Sequence, residues 1–251
     1  MRWHSVFISD CHLGSKHALS KQLLSFLNSL DVNKLFIVGD FIDFWVLKNE
    51  WHWDDTSTKI VACLKEKQEL GCEVVLLRGN HDEQFRNMSY FNGIKIEEKT
   101  VYKTLLNKSF LIWHGDQLDW FQSGFLRYVS NIGSVLYEAL MLLNTFFKAK
   151  KVKVSQEPKS VSSFFKVSVK QAIEKLSCYK KRLNSVLTKN QLDGVVCGHN
   201  HFPKVATLAQ DKVYYNCGDW MENCSFLTED FAGNFKLYRY NDQQKKSELI
   251  S

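Results

Sequence analysis

Val74-Val75-Leu76-Leu77-Arg78-Gly79-Asn80-His81-Asp82-Glu83 decides how the rest of the chain is read. The apolar run Val74 to Leu77 predicts a buried strand, which ends in Arg78-Gly79 ahead of three polar, ligand-capable side chains. Buried strands of α/β sheets place functional groups in the loops just past their carboxyl ends. Taken alone, Asn80-His81-Asp82 is also what an ordinary turn looks like. Its weight comes from four further stretches of the same design.

Upstream, the strand candidate Val6 to Ser9 ends in Asp10-Cys11-His12, and Leu35 to Val38 ends in Gly39-Asp40. Downstream, Ser109 to Trp113 runs into His114-Gly115-Asp116, and Gly194 to Cys197 into Gly198-His199-Asn200-His201. Five of the eight histidines lie in these stretches. Carboxylate, imidazole and amide oxygen together suit first-row divalent metals such as manganese, iron or zinc. In Asp10-x-His12 and His199-x-His201 the paired groups project from the same side of an extended segment. The glycines let the backbone turn sharply and approach an ion closely. Asp10, His12, Asp40, Asn80, His114, His199 and His201 make more ligands than one metal needs. The set suits two ions sharing a carboxylate, an arrangement that activates water and stabilises a phosphoryl transition state.

Around these stretches, a predicted helix from a capping Ser20 to Leu30 carries Leu23, Leu24, Leu27 and Leu30 on one face. A second helix of about 15 residues ends at Gly71. Between them lies Asp43 and a loop with Trp45, Trp51 and Trp53, which core, rim or lipid contact would each explain. The β-α-β-α-β order predicts an α/β fold with a parallel sheet and right-handed crossovers. Thr100 to Leu106 and Ser109 to Trp113 predict a hairpin around Asn107-Lys108. From about 120 to 191 the pattern turns helical, with apolar residues such as Phe165, Val169, Ile173, Leu176 and Leu183 at helical spacing. Because it sits between two strand-end motifs, this insert is expected to form a helical cap within a single 1–251 domain. Short strands follow at Lys204 to Leu208, Val213 to Asn216, Ser225 to Thr228 and Phe235 to Tyr240.

The 251 residues suffice for one large core, and 45% hydrophobic content excludes a disordered chain. Seven cysteines without a C-x-x-C exclude a zinc ribbon and indicate no disulfide framework. No signal peptide is expected at Met1-Arg2-Trp3-His4, and Val135 to Phe147, interrupted by Glu138 and Asn144, is too short to span a bilayer. A cytoplasmic location is therefore expected. The net charge of +6 is unevenly placed: Gln117 to Gln191 holds 13 Lys/Arg against 4 Asp/Glu, leaving 20 against 23 elsewhere. The insert, rather than the whole chain, is thus expected to meet something anionic.

The motif order D-x-H, G-D, G-N-H-[DE], H and G-H-x-H resembles the calcineurin-like metallophosphoesterase superfamily over the whole chain apart from the insert. SDCHLGSKHA, GDFIDFW, WHGDQLDW, CGHNHFP and NCGDWMENC further resemble its UDP-2,3-diacylglucosamine pyrophosphatase group, as does the helical insert. The resemblance implies a four-layer α/β/β/α sandwich of two mixed sheets with a helical cap insertion. It implies hydrolysis of a lipid A precursor to UMP and a diacylglucosamine 1-phosphate with two divalent ions, manganese first and iron or zinc as alternatives. Carried over, Asp10, His12 and His201 would hold one ion, Asn80, His114 and His199 the other, with Asp40 bridging. His81 would protonate the leaving oxygen or stabilise the phosphorane, and Asp82 would orient it. One position departs from the best-characterised branch, which carries Arg after the third-motif Asn where this chain has His81.

The expected partner is a phosphorylated, lipid-linked small molecule, with the cap helices as suspected binding surface. Lys148, Lys150, Lys151 and Lys153 would attract anionic headgroups on the cytoplasmic face of the inner membrane. A nucleic-acid phosphodiesterase is the competing enzyme reading, weakened by the apolar stripes of the insert and the lack of a base-stacking pattern. A non-catalytic scaffold is the remaining alternative, and such scaffolds generally lose ligands, whereas all seven stand here.

Overall fold

A computed structural model describes residues 2–49, 52–119 and 179–250. Met1–Asp116 together with Asn184–Ser251 form one compact unit, and Gln117–Leu183 form another. Most of the expected cap, the four lysines from Lys148 to Lys153, and Trp51 lie outside the described residues. The architecture that follows is that of the first unit.

Its elements are β1 (Arg2–Ile8), α1 (Ser20–Ser29), β2 (Asp31–Val38), α2 (Phe44–Leu47), α3 (Asp55–Glu69), β3 (Glu73–Leu77), β4 (Tyr90–Phe91) and β5 (Ile94–Glu97). The chain continues through β6 (Lys99–Lys103), β7 (Ser109–Trp113), β8 (Gly194–Cys197), β9 (Lys204–Thr207), β10 (Val213–Asn216), β11 (Ser225–Glu229), β12 (Phe235–Asn241) and β13 (Lys246–Leu249). They build an eight-stranded sheet, ordered β13-β12-β11-β1-β2-β3-β5-β4, and a five-stranded sheet, ordered β6-β7-β8-β10-β9. Both are mixed. β1, β2, β3 and β5 run parallel, as the β-α-β alternation predicts, and so do β7, β8 and β10.

Two cores follow from the period-2 alternation of the strands. One face of the larger sheet (Val6, Ile8, Leu35, Ile37, Val74, Leu76) packs with Leu23, Phe26 and Leu27 of α1 and Ile60, Val61 and Leu64 of α3. The other face (Phe7, Phe36, Val38, Val75, Leu77, Leu227) meets Tyr102, Phe110, Ile112 and Val196 of the smaller sheet. Phe7 and Phe36 stack at 5.0 Å across β1 and β2, with Tyr102 edge-on to both. Residues 184–189 are helical, with Leu187 buried.

α3 closes as its sequence predicts: Gly71 takes φ +95°, its N–H bonds to Gln68 O and that of Cys72 to Lys67 O, at 2.9 Å each. Only a residue without Cβ adopts that conformation cheaply. The expected Ser20 cap is corrected. Leu19 holds the cap position without a side-chain hydrogen bond, and its N–H reaches Trp220 O at 2.8 Å. A tertiary hydrogen bond at Leu19 thus fixes where the chain enters α1, while no side chain caps the first turn. The six described cysteines are unbridged, and no helix among the described residues is long and apolar enough to cross a membrane.

Candidate metal centre

The parallel strands deliver their carboxyl ends to one place. Asp10 and His12 follow β1, Asp40 follows β2, Asn80 follows β3, His114 follows β7, and His199 and His201 follow β8. The loops are laced together by the backbone. His12 N–H bonds to Asp40 O at 2.9 Å and Leu13 N–H to Phe41 O at 2.9 Å, joining the ends of β1 and β2. Ser9 Oγ donates to Gly218 O at 2.8 Å and His199 N–H to Asp10 Oδ2 at 2.9 Å, joining the two sheets.

Five of the seven expected ligands, Asp10, His12, Asp40, His199 and His201, have φ between 48° and 69°. Non-glycine residues in that region cost of order 1–3 kcal/mol each and persist where the surroundings over-determine them, commonly at functional sites. The glycines beside them serve close approach. A Cβ at Gly79 would overlap Asp40 Oδ1, and one at Gly198 would overlap Asp10 Oδ2.

Three histidines share one design. Nδ1 of His114 lies 2.9 Å from Val38 O, that of His12 lies 3.1 Å from Asp43 Oδ2, and that of His201 lies 3.1 Å from Asp219 Oδ2. These partners are acceptors, so each Nδ1 carries a proton, and in the neutral ring that a metal ion requires each Nε2 is left with a lone pair. The three Nε2 atoms converge on carboxylates. His114 Nε2 is 3.2 Å and His12 Nε2 3.7 Å from Asp40 Oδ2, and His201 Nε2 is 3.3 Å from Asp10 Oδ1. Acceptor facing acceptor at such distances, in a buried site, calls for a proton or a metal cation between them. His12 Nε2, His114 Nε2 and Asn80 Oδ1 are moreover buried without a hydrogen bond. Buried polar atoms are rarely left so in a native protein, and all three belong to residues expected from the sequence to hold metal.

The electrostatics agree. Burial pushes the Asp10 carboxyl up, with the neighbouring Asp40 adding to it. Burial also acts to raise Asp40, but His114 and the other histidines outweigh it and hold that carboxyl well below the usual range. His114 is the mirror image: burial opposes its charge, yet Asp40 and Asp10 raise it to about 10. The site demands positive charge, and a divalent cation meets the demand. Asp10, His12 and His201 can surround one ion, and so can Asp10, Asp40 and His114. A third triplet, His12, Asp43 and His81, is different. There Asp43 meets both imidazoles at Nδ1, which makes it their shared anchor.

Asp43, to which the sequence alone assigns no role, is an anchor of the site. His81 Nδ1 lies 3.0 Å from Asp43 Oδ1. The expectation that Asp82 orients His81 is corrected accordingly. The buried Asp82 carboxylate accepts N–H groups from Phe41 (3.0 Å), Ile42 (2.8 Å) and Gly79 (3.2 Å), tying the β2 loop to the β3 loop. Burial and the charge of Asp40 push Asp82 up to about 7 against those bonds. The sequence alone likewise assigns no role to Asp219. Besides anchoring His201, it accepts N–H groups from Met221, Glu222 and Asn223, while Asn223 Nδ2 donates to His201 O at 2.9 Å. A signal for both was present: a histidine that ligates through Nε2 needs an acceptor at Nδ1, and GDFID and CGD each offer a spare carboxylate. Of the tryptophans, Trp45 lies over His81 and Trp53 joins the helix-side core. His199 stands edge-on to His114, ring centroids 5.2 Å apart.

Comparison with known proteins gives the chain its relatives. The profile of the calcineurin-like phosphoesterase family matches residues 4–203. A UDP-2,3-diacylglucosamine hydrolase of Photorhabdus laumondii is 27% identical over 86% of this chain and 90% of its own length. One from Marinobacter nauticus is 24% identical over 89% and 92%. Among solved structures, vacuolar protein sorting 29 of Cryptosporidium parvum aligns over 98% of this chain and 94% of its own, at 14% identity and a TM-score of 0.48.

Proposed function

Given that this chain belongs to the calcineurin-like phosphoesterase family and is a metal-dependent phosphoesterase, we propose that it is a dinuclear hydrolase of UDP-2,3-diacylglucosamine or a related lipid-linked pyrophosphate. UMP and a lipid phosphate would be the products. The observation that carries the two-ion reading is the set of Nε2 lone pairs converging on Asp10 and Asp40 beside the unpartnered Asn80 Oδ1. In that reading Asp10, His12 and His201 would hold one ion, Asn80, His114 and His199 the other, and Asp40 would serve both. Divalent ions held there would supply Lewis-acid stabilisation of phosphoryl oxygens and a nucleophile from water at neutral pH. Manganese is proposed, since oxygen and imidazole donors without thiolate suit it.

The chain's own groups do the rest. Asp43 holds one proton on His81 Nδ1, and with the ring protonated at both nitrogens Nε2–H is the group that hands a proton or hydrogen bond to the departing oxygen. The charge of Asp40, Asp43 and Asp82 together raises the affinity of His81 for that proton over the opposing effect of burial. His81 N–H donates to Asp40 Oδ1 at 2.8 Å, so the donor is held by the bridging carboxylate itself.

The substrate reading rests on the named relatives and on the basic, apolar insert. Phosphorus NMR of UDP-2,3-diacylglucosamine incubated with the manganese-loaded protein tests it. UMP and a lipid phosphate are expected, and an unchanged spectrum alongside active hydrolysis of bis-p-nitrophenyl phosphate would reject the substrate and keep the reaction class.

A further inference from the structure

We propose that Trp45 is a positioning residue for hydrolysis: its indole face sets the plane of the His81 ring and so aims Nε2 at the departing oxygen. This rests on the reading of His81 as donor to that oxygen. Three consecutive residues clasp the His81 loop. Asp43 accepts from His81 Nδ1 through the same Oδ1 that takes the Val46 N–H at 3.0 Å and caps α2. Phe44 packs edge-on to Phe85, four residues past His81, at 5.3 Å. Trp45 lies over the His81 ring, centroids 4.0 Å apart and planes 33° apart.

A single hydrogen bond at Nδ1 does not fix an imidazole, because the torsion that turns the ring is broad. Rotation about that bond would sweep Nε2 through an arc. The Trp45 face closes one side of the arc, and the edge of His12, at 4.6 Å and 85°, closes another. α2 is itself held: Asp43 N–H bonds to Leu13 O at 2.9 Å, and the Leu47 side chain fills the space beside Gly14. The indole is thus referenced to the loop that carries Asp10 and His12. Misplacing a reacting group by about 1 Å can cost on the order of 10²-fold in rate, which is what such a clasp guards against.

The test uses the full chain and the variants Trp45→Leu, Trp45→Phe and His81→Ala. Trp45→Leu is expected to lower kcat about tenfold or more on an alkyl phosphodiester, with KM and metal content unchanged. The loss should be much smaller on bis-p-nitrophenyl phosphate, whose leaving group needs no proton, and Trp45→Phe should restore most of it. Added to His81→Ala, Trp45→Leu should cost nothing further. In the zinc-loaded protein, the His81 ring protons should be shifted upfield by the indole ring current and lose that shift in Trp45→Leu. Unmoved His81 resonances, an equal loss for both leaving groups, a change in KM alone, or a further loss on top of His81→Ala would each overturn the positioning role. If His81→Ala itself shows no dependence on the leaving group while the ring-current shift is present, the His81 reading falls instead.

Discussion

Asp40 Oδ2 is the atom nearest to two ligand nitrogens, 3.2 Å from His114 Nε2 and 3.7 Å from His12 Nε2. If two ions are bound as proposed, Asp40→Ala should remove a ligand from both and cut metal-dependent hydrolysis by about 10³-fold, the scale of a lost electrostatic stabiliser. Metal analysis after saturation with manganese checks it, and two tightly held ions in the variant would contradict the bridging role. Asp43→Asn separates anchor from ligand. An asparagine oxygen can accept from only one of His12 and His81, so manganese affinity should fall 10–100-fold, typical of a lost partner behind a metal ligand, and kcat should fall with it. Asp82→Asn should act on stability instead, because its carboxylate serves three backbone N–H groups; paired metal titrations and melting curves tell the two apart. The convergence of these candidate donors on one place was legible because donor types recur at the ends of apolar runs. The anchors were not, since which carboxylate meets a given Nδ1 depends on which loops become neighbours in space. Asp82 is next to His81 in the chain, yet Asp43, 38 positions earlier, is next to its ring.

At the scale of elements, the same division holds. β1, β2, β3, β7 and β8 announce themselves as apolar runs, and α3 as a stripe ending in glycine. β4, β5 and β13 do not: Tyr90–Phe91, Ile94–Glu97 and Lys246–Leu249 are short, polar, or at sheet edges, and form by pairing with a neighbour. What joins the two sheets is also invisible to pattern. The fully buried Glu229 of β11 accepts from the Tyr102 hydroxyl of β6 and from Leu105 N–H at 2.8 Å, and lies 3.2 Å from His4 Nδ1. Tyr102 also meets Ser5 Oγ at 2.6 Å. Glu229→Ala takes the acceptor from Leu105 N–H and the carboxylate from the Tyr102–Ser5–His4 cluster, whose members keep only one another, and a lost acceptor of this kind is worth about 1–3 kcal/mol. Unfolding in urea should show a loss of that order or more. Activity per folded molecule should hold, since none of the seven ligands touches this cluster, and a midpoint equal to the parent's would make the network incidental.

For the whole molecule, charge is divided along the chain: the insert from Gln117 to Gln191 has 13 basic against 4 acidic residues, and the rest is slightly acidic. An acidic, cation-demanding centre repels an anionic surface, so any attraction to one has to come from the insert. Each Lys or Arg near an anionic membrane contributes about 1 kcal/mol, within a Debye length of about 8 Å at physiological salt. Exchanging Lys148, Lys150, Lys151 and Lys153 for Gln should therefore weaken co-sedimentation with phosphatidylglycerol vesicles by on the order of 10²-fold or more. The parent's own binding should fade as salt is raised. Hydrolysis of a soluble nitrophenyl ester should be little affected by the exchange, whereas turnover of a vesicle-borne UDP-lipid should drop. Parent protein that ignores the vesicles and instead binds single-stranded DNA with steep salt dependence would move the reading to the nucleic-acid phosphodiesterase, because the same basic insert would then serve a polyanion in solution.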